Sequence, residues 1–520
     1  MLKKIRVSLA FVFFTGLTLL FLDFTGTVSA WLGWMAKAQF LPAILGLNLT
    51  AVLIVLALTL LFGRVYCSII CPLGVFQDGV SWLRSRIRKK ARFRFRAKRE
   101  CKPVRYGMLA LVIAAFIAGF GSLVALADPY GAFGRIASNF FAPLWQWGNN
   151  LLAMAAEHFG SYAFYSREVW FKGLPTFLLA AAWLVLVVVM PWVGGRDYCN
   201  SICPVGTVLG MFSRFSLFKV RIDGSACNGC GLCEKQCKSS CIDSKGHKID
   251  YSRCVACMNC IGTCSKGAIS FSAQCASGNA SKDVCKDASK GAEAPSEDAG
   301  CEASKPEGKA DDPGRRAFVT SAVLLAGAAS ASAQEMKLDG GLAEIKKKRS
   351  PERKTPVKPA GSHSVRQFGK RCTGCQLCVM ECPNNVLRPS SDLKTLMQPE
   401  MSFERGYCRT ECTKCSEICP AGAIERVSVE EKSSIKVGTA VVDLSLCLAH
   451  EEGISCNACA SKCPAAAIKR VPKNPDGEKG VMIPVVLEEK CIGCGKCEYV
   501  CPARPVSAIH IEGVSVHSEI

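Results

Sequence analysis

The residues of this chain best equipped for chemistry are its cysteines, 33 in 520 residues. Two stretches carry the spacing C-x2-C-x2-C-x3-C, first as Cys227, Cys230, Cys233 and Cys237, then as Cys254, Cys257, Cys260 and Cys264. Three thiolates two residues apart wrap one face of a cubane [4Fe–4S] cluster, and the fourth, beyond a turn, reaches the partner cluster. Together the motifs predict two clusters with crossed ligands. One set is Cys227, Cys230, Cys233 and Cys264; the other is Cys254, Cys257, Cys260 and Cys237. Zinc ribbons use separated pairs rather than a triplet plus one, so iron is the expected metal.

Four more groups lie further along: Cys372, Cys375, Cys378, Cys382; Cys408, Cys412, Cys415, Cys419; Cys447, Cys456, Cys459, Cys463; and Cys491, Cys494, Cys497, Cys501. In each, the last cysteine precedes a proline, which removes a backbone donor and turns the chain away. Six groups of four predict six [4Fe–4S] clusters. A different pattern, G-R-x-Y-C-x-x-x-C-P-x-G, occurs at 63–74 (GRVYCSIICPLG) and again at 195–206 (GRDYCNSICPVG). Its pairs, Cys67 with Cys71 and Cys199 with Cys203, each share a helix face. They offer four soft ligands for one further metal or cluster near a bilayer, or else are thiols packed at helix ends ahead of Pro72 and Pro204. Cys101, Cys241, Cys275, Cys285 and Cys301 read as incidental.

No dinucleotide fingerprint, phosphate loop or haem-attachment motif accompanies these cysteines. The apolar segments contain no histidine, so an intramembrane bis-histidine haem is excluded. No catalytic residue is assigned, and the chemistry expected is electron transfer.

The elements that must carry these sites divide the chain. Four apolar runs, 7–30, 42–62, 106–127 and 174–193, are each long enough to cross a bilayer as a helix. Hydrophobic residues make up 49% of the chain and mean hydropathy is +0.21, too apolar for an ordinary soluble enzyme. The net charge of +21 is concentrated in Arg84 to Arg105, between two apolar runs. That placement reads as a cytoplasmic loop under the positive-inside rule rather than as a nucleic-acid surface. The polar candidates near the membrane are Asp23, Asp128 and His158.

The expected organisation is therefore an α-helical membrane domain of four spans (1–215), carrying both repeats, followed by α+β bacterial-ferredoxin-like domains. A two-cluster ferredoxin module occupies 220–270, a flexible linker 271–312, and a second linker 336–365. A four-cluster ferredoxin domain fills 366–514. Residues 313–335 have paired arginines, a modest apolar region and an A-x-A site, so they form either a twin-arginine export signal or a fifth span.

The four spans, the paired YCxxxCP repeats and the two-cluster module resemble membrane ferredoxins of the NapH and NosR type, over about 1–270. The twin-arginine segment and the four-motif domain resemble the periplasmic ferredoxin NapG, over about 313–514. CLAHEEGISCNACASKCP and CIGCGKCEYVCP carry that likeness most specifically. The resemblance implies a protein of the bacterial inner membrane, with the N-terminus and the 220–270 module cytoplasmic and 366–514 periplasmic. It implies a quinol-dehydrogenase assembly that takes electrons from the quinone pool and delivers them to a periplasmic reductase or electron carrier, nitrate reductase being the familiar client. It also implies nested pairing in the outer domain: Cys372, Cys375, Cys378 with Cys501; Cys491, Cys494, Cys497 with Cys382; Cys408, Cys412, Cys415 with Cys463; Cys447, Cys456, Cys459 with Cys419. The alternatives are an accessory protein supplying electrons for maturation of a periplasmic metalloenzyme and a non-redox metal-binding protein. The chain departs from the family in fusing two proteins, in the motif GYCRTECTKCSEICP, and in placing Lys238 and Ser265 where proline is usual. Cys241 also competes with Cys237 as a ligand.

Overall fold

The four expected apolar runs differ in how far their backbone hydrogen bonds continue: the first ends at Leu22, short of residue 30, the second and third are each split into two helices, and the fourth is unbroken. In the computed structural model, which describes residues 2–23, 26–87, 95, 102–162, 164–166, 168–170, 172–273, 346–473 and 481–520, helices Leu2–Leu22 and Leu174–Gly194 are 21 residues each. At about 1.5 Å per residue these two are long and apolar enough to cross a membrane. The second run is split into Phe40–Leu45 and Leu49–Phe62. There the Asn48 side chain accepts the Ala51 N–H and starts a new helix. The third is split into Lys102–Ala118 and Gly121–Ala127 at Gly119, whose φ of 84° favours glycine. Residues 128–173, expected as an outer loop, are largely helical: Pro129–Ile136, a wide turn at Ala137–Phe141, then Ala142–His158.

Large apolar side chains point outward from these helices, among them Leu53, Ile54, Ile113, Ile117, Leu151, Val185 and Val189. An exposed apolar band of this extent marks a membrane-associated protein. The inward faces meet in an aromatic layer. The Phe21 ring centroid lies 5.9 Å from that of Tyr130 and 6.0 Å from that of Phe133, and Phe14 packs edge-on to Phe133 at 5.6 Å.

Both repeats fold alike. Helix Val65–Ile69 turns at Cys71 into Pro72–Ile87, and Asp197–Ser201 turns at Cys203 into Pro204–Ser213. Proline suits the first turn because it has no N–H to leave unbonded.

The ferredoxin modules are built on short antiparallel ribbons. In the inner module Phe218–Ile222 pairs with Ile269–Ala273, closing the two-motif segment on itself. In the outer domain Leu387–Pro389 pairs with Pro399–Met401, Ile468–Pro472 with Met482–Val486, and Ile435–Val442 with Ile509–Glu519. Bundle, inner module and outer domain belong to one compact unit. The inner module docks where the repeats lie: Leu217 N–H donates to Leu60 O at 2.7 Å and Arg105 Nη2 to Ser252 O at 3.0 Å. The outer domain docks at the other end of the helices. There Ser138 Oγ donates to Gln376 Oε1 at 2.6 Å, and the guanidinium of Arg405 lies over the ring of Trp170. A small second unit joins 346–349 to 504–506, where Arg349 N–H donates to Pro505 O at 2.7 Å. The expected twin-arginine segment and most of the linkers around it lie outside the described residues.

Candidate iron–sulfur sites

A triplet of thiols two residues apart faces one point only if the backbone coils tightly between them, and residues with positive φ provide the coil. In the inner module Gly229 (φ 64°) and Gly231 (φ 69°) do so for the first motif, and Ala256 (φ 48°) and Met258 (φ 59°) for the second. Two cavities result. One is lined by Cys227, Cys230, Cys233 and Cys264. The other is lined by Cys237, Cys254, Cys257 and Cys260, with Cys241 beside them. These linings put Cys264 with the first triplet and Cys237 with the second. Cys241 Sγ lies 3.5 Å from Cys237 Sγ, and the hydrogen bond it offers pulls the Cys237 thiol below its ordinary range.

In the outer domain the grouping differs from the nested pairing. One cavity brings Cys382 to Cys408, Cys412 and Cys415. Another brings Cys463 to Cys491, Cys494 and Cys497. A third brings Cys501 to Cys447, Cys456 and Cys459. The remaining four, Cys372, Cys375, Cys378 and Cys419, act on one another electrostatically. Motifs therefore pair in sequence, first with second and third with fourth. The physical reason is local: helix Leu377–Glu381 packs on Lys414–Ile418, and Ala458–Ser461 on Lys496–Val500. Each fourth cysteine ends or follows its short helix and reaches the neighbour's cavity.

The cavities suit cluster chemistry. Burial pushes the Cys375 thiol up to about 12 and the Cys459 and Cys494 thiols up to about 11. These sulfurs become thiolates when a cation holds them. Backbone N–H groups aim at the sulfurs, Gly374 at Cys372 and Val386 at Cys382 at 3.4 Å, and Ala467 at Cys463 at 3.3 Å. Such bonds stabilise a cluster's negative charge and set its potential. Among the described residues no three Cys, His, Asp or Glu side chains converge closely enough to hold a single metal ion.

The two lobes of the outer domain touch at their cysteines: Cys408 N–H donates to Cys494 O at 3.0 Å. At the bundle, Cys375 is the contact. A Cβ on Gly134 would collide with Cys375 O and with the Phe21 ring, so glycine lets the cluster loop rest on the aromatic layer. The sites then follow one line through the outer domain: the Cys372 set, the Cys382 set, the Cys463 set and the Cys501 set.

Two of the three polar candidates accept backbone N–H groups. Asp23 accepts the N–H groups of Gly26, Val28 and Ser29 and caps helix Thr27–Lys37. Asp128 accepts those of Tyr130 and Gly131, and His158 is exposed at a helix end. What the cysteine pattern did not single out were Arg64, Tyr66, Arg196 and Tyr198, all fully buried against the repeat thiols. Their signal was present in the repeat itself, which conserves Arg and Tyr in both copies.

Comparisons with known proteins agree with this layout. A family model described as a 4Fe-4S binding domain matches residues 44–91 and 176–223. A model described as a 4Fe-4S dicluster domain matches 371–423 and 454–504, the two lobes just defined. The ferredoxin-type protein MauM, for methylamine utilisation in Paracoccus denitrificans, is 33% identical over 165 residues, 31% of this chain and 73% of the relative. The chain belongs to the NapH/NapG and MauM/MauN ferredoxin-type proteins. Within that family, NapH of Haemophilus influenzae is 28% identical over 246 residues, 45% of this chain and 71% of the relative. An uncharacterised protein of Methanocaldococcus jannaschii is 42% identical over 97 residues, 19% of this chain; the match spans only 37% of that relative. No solved structure matches the chain. As a member of this family, the protein is an iron–sulfur electron-transfer protein with redox partners.

Proposed function

We propose that the protein carries electrons across the bacterial inner membrane, from quinol or a cytoplasmic donor to a periplasmic reductase or electron carrier. The observation that carries this reading is the docking of the two ferredoxin modules on opposite ends of one helical bundle. Six [4Fe–4S] clusters would be held by the six thiol sets grouped above, with the four repeat cysteines adding a further metal site. Each cluster, when bound, accepts and releases one electron at a time. The protein's residues hold the clusters in sequence, keep water from the buried thiolates, and seat each module against the bundle.

In this reading the membrane is crossed four times, twice by the unbroken helices and twice by the interrupted pairs. The arginine-rich stretch from Arg84 to Arg105 supports a cytoplasmic N-terminus and inner module, with 366–514 on the periplasmic side. Likeness to the methylamine-utilisation ferredoxins MauM and MauN makes a methylamine-utilisation system a candidate client beside the nitrate reductase that the NapG resemblance implies. No residue here looks like a substrate-reducing centre, so terminal chemistry belongs to that partner.

The test is protease accessibility of a C-terminal epitope in intact spheroplasts. Cleavage from the outside is expected; an epitope protected until the membrane is breached would place every cluster on the cytoplasmic side and end the reading.

A further inference from the structure

The two repeats form one site rather than two. Each arginine donates to a thiol of its own repeat and to a carbonyl of the other. Arg64 Nη2 lies 3.9 Å from Cys67 Sγ and 3.1 Å from Cys199 O. Arg196 Nη1 lies 4.0 Å from Cys199 Sγ and 2.7 Å from Cys67 O. The closing glycines make the exchange possible. A Cβ on Gly74 would meet Cys67 O and Arg196, and one on Gly206 would meet Cys199 O and Arg64. The arginine, the first cysteine and the closing glycine of G-R-x-Y-C-x-x-x-C-P-x-G thus have matching places in the two copies.

This assembly is built for an anion. Arg64 and Arg196 are buried beside four buried thiols, Cys67, Cys71, Cys199 and Cys203. Four thiolates on a [4Fe–4S]2+ core make a dianion; Arg64 stands beside it, and Arg196, Arg6 and Lys238 outnumber the one carboxylate they share, Asp78, so the surroundings carry net positive charge. Buried donors stand ready without partners: Gln77 Nε2, Arg64 Nε and Arg196 Nη2. Gln77 Oε1 already accepts the Cys199 thiol at 3.4 Å. The thiols do not converge on one point as a single ion requires; in this they match the ferredoxin cavities.

Its position is between the relays. Toward the inner module, Arg196 N–H donates to Lys238 O at 2.8 Å and Asn200 Nδ2 to Ser239 O at 3.4 Å, both just after Cys237. Arg64 Nη1 reaches Ser252 O at 3.1 Å, two residues before Cys254. Toward the outer domain, Tyr66 and Tyr198 flank the site, and the core continues without a break through Tyr130, Phe133 and Phe21 to Cys375.

We propose that Cys67, Cys71, Cys199 and Cys203 hold one [4Fe–4S] cluster, shared between the repeats, and that it is the obligatory bridge between the inner and outer relays. This rests on the electron-transfer reading above. One electron leaves the reduced Cys237, Cys254, Cys257, Cys260 site, passes to the oxidised shared site, and leaves it for the oxidised Cys372, Cys375, Cys378, Cys419 site. No bond forms or breaks and no proton moves.

The experiment uses the full chain in inside-out vesicles with a reductant that does not cross the bilayer, added on the side of the inner module. Iron and sulfide are counted per chain. The double variant Cys71→Ser, Cys203→Ser is expected to lose about four irons. It should keep inner-cluster reduction and lose reduction of the outer clusters, which a reductant on their own side in right-side-out vesicles restores. Wild-type iron content and unimpaired electron passage in the variant would overturn the proposal. If the variant does not assemble, the wild type decides alone, since iron for about seven clusters is required and iron for about six refutes the shared site. A wild-type protein with iron for about seven clusters that passes no electrons would instead sink the electron-transfer reading, and the bridging role with it, while the shared site stood.

Discussion

The two repeats share their motif but not their surroundings, and the difference shows which parts serve the site and which serve its neighbours. Four residues past Gly74 stands Asp78, whose carboxylate pairs with Arg196 and Arg6 at 3.0 Å and with Lys238 at 3.1 Å. Four residues past Gly206 stands Gly210, whose bare backbone lets Arg105 and Ser252 O close in. The first repeat therefore holds its partner's arginine by charge, and the second holds the Cys254 loop by shape. Arg64, with no carboxylate against it among the described residues, rests instead on Asn200 Oδ1 at 2.7 Å. The symmetric core binds; the asymmetric shell docks the inner module.

The strongest way to break this comparison is Asp78→Ala. It leaves the buried Arg196 and the half-buried Arg6 and Lys238 without their shared anion and should cost about 3–5 kcal/mol, read as a fall in thermal stability of the detergent-solubilised protein. Burial by itself pushes the Asp78 carboxyl up, but Arg196, Lys238 and Arg6 outweigh it and hold it well below the usual carboxylate range. Its folded value is depressed, so its contribution is complete above the ordinary carboxylate value of 3.8 and is lost as pH falls below that. An acid-stability profile of wild type and Asp78→Ala should therefore converge only at strongly acidic pH.

Next in size are Gly74→Ala and Gly206→Ala, each expected to cost about 1–3 kcal/mol by forcing a Cβ into a carbonyl and a guanidinium. Equal losses in Tm sharpen the twofold picture, and one silent substitution breaks it. Arg64→Gln and Arg196→Gln each remove a positive charge beside the thiols and should lower the potential of the shared site. A redox titration should register roughly 60 mV in each, a tenfold change for one electron. The smallest effect belongs to Asn200→Ala, about 1–2 kcal/mol for the lost acceptor of Arg64, visible in chemical denaturation.

Much of this site was legible in the spacing of its residues. The crossed ligands of the inner module follow from C-x2-C-x2-C-x3-C, because a triplet and a fourth thiol beyond a turn leave few ways to close two cubes. The same rule, applied lobe by lobe, also yields the outer grouping; the nested pairing came from family likeness and ignored the short helices that place Cys382 beside Cys408. The break in the second run was written at Gly46 and Asn48, but hydropathy averages over a window and passes across a helix cap. The swapped arginines were not legible, since no pattern within either repeat states that its guanidinium will bond the other's carbonyl. That information exists only once the two copies face each other.

The seats of the two modules carry a further consequence. Every transfer proposed here crosses a packed interface: Arg64 to Ser252, Gly134 to Cys375, Cys408 to Cys494. None follows the polypeptide from 274 to 345. Covalent continuity through that stretch is then a matter of stoichiometry and delivery rather than of conduction, so a molecule nicked there would conduct as well as an intact one, provided its two pieces stayed seated.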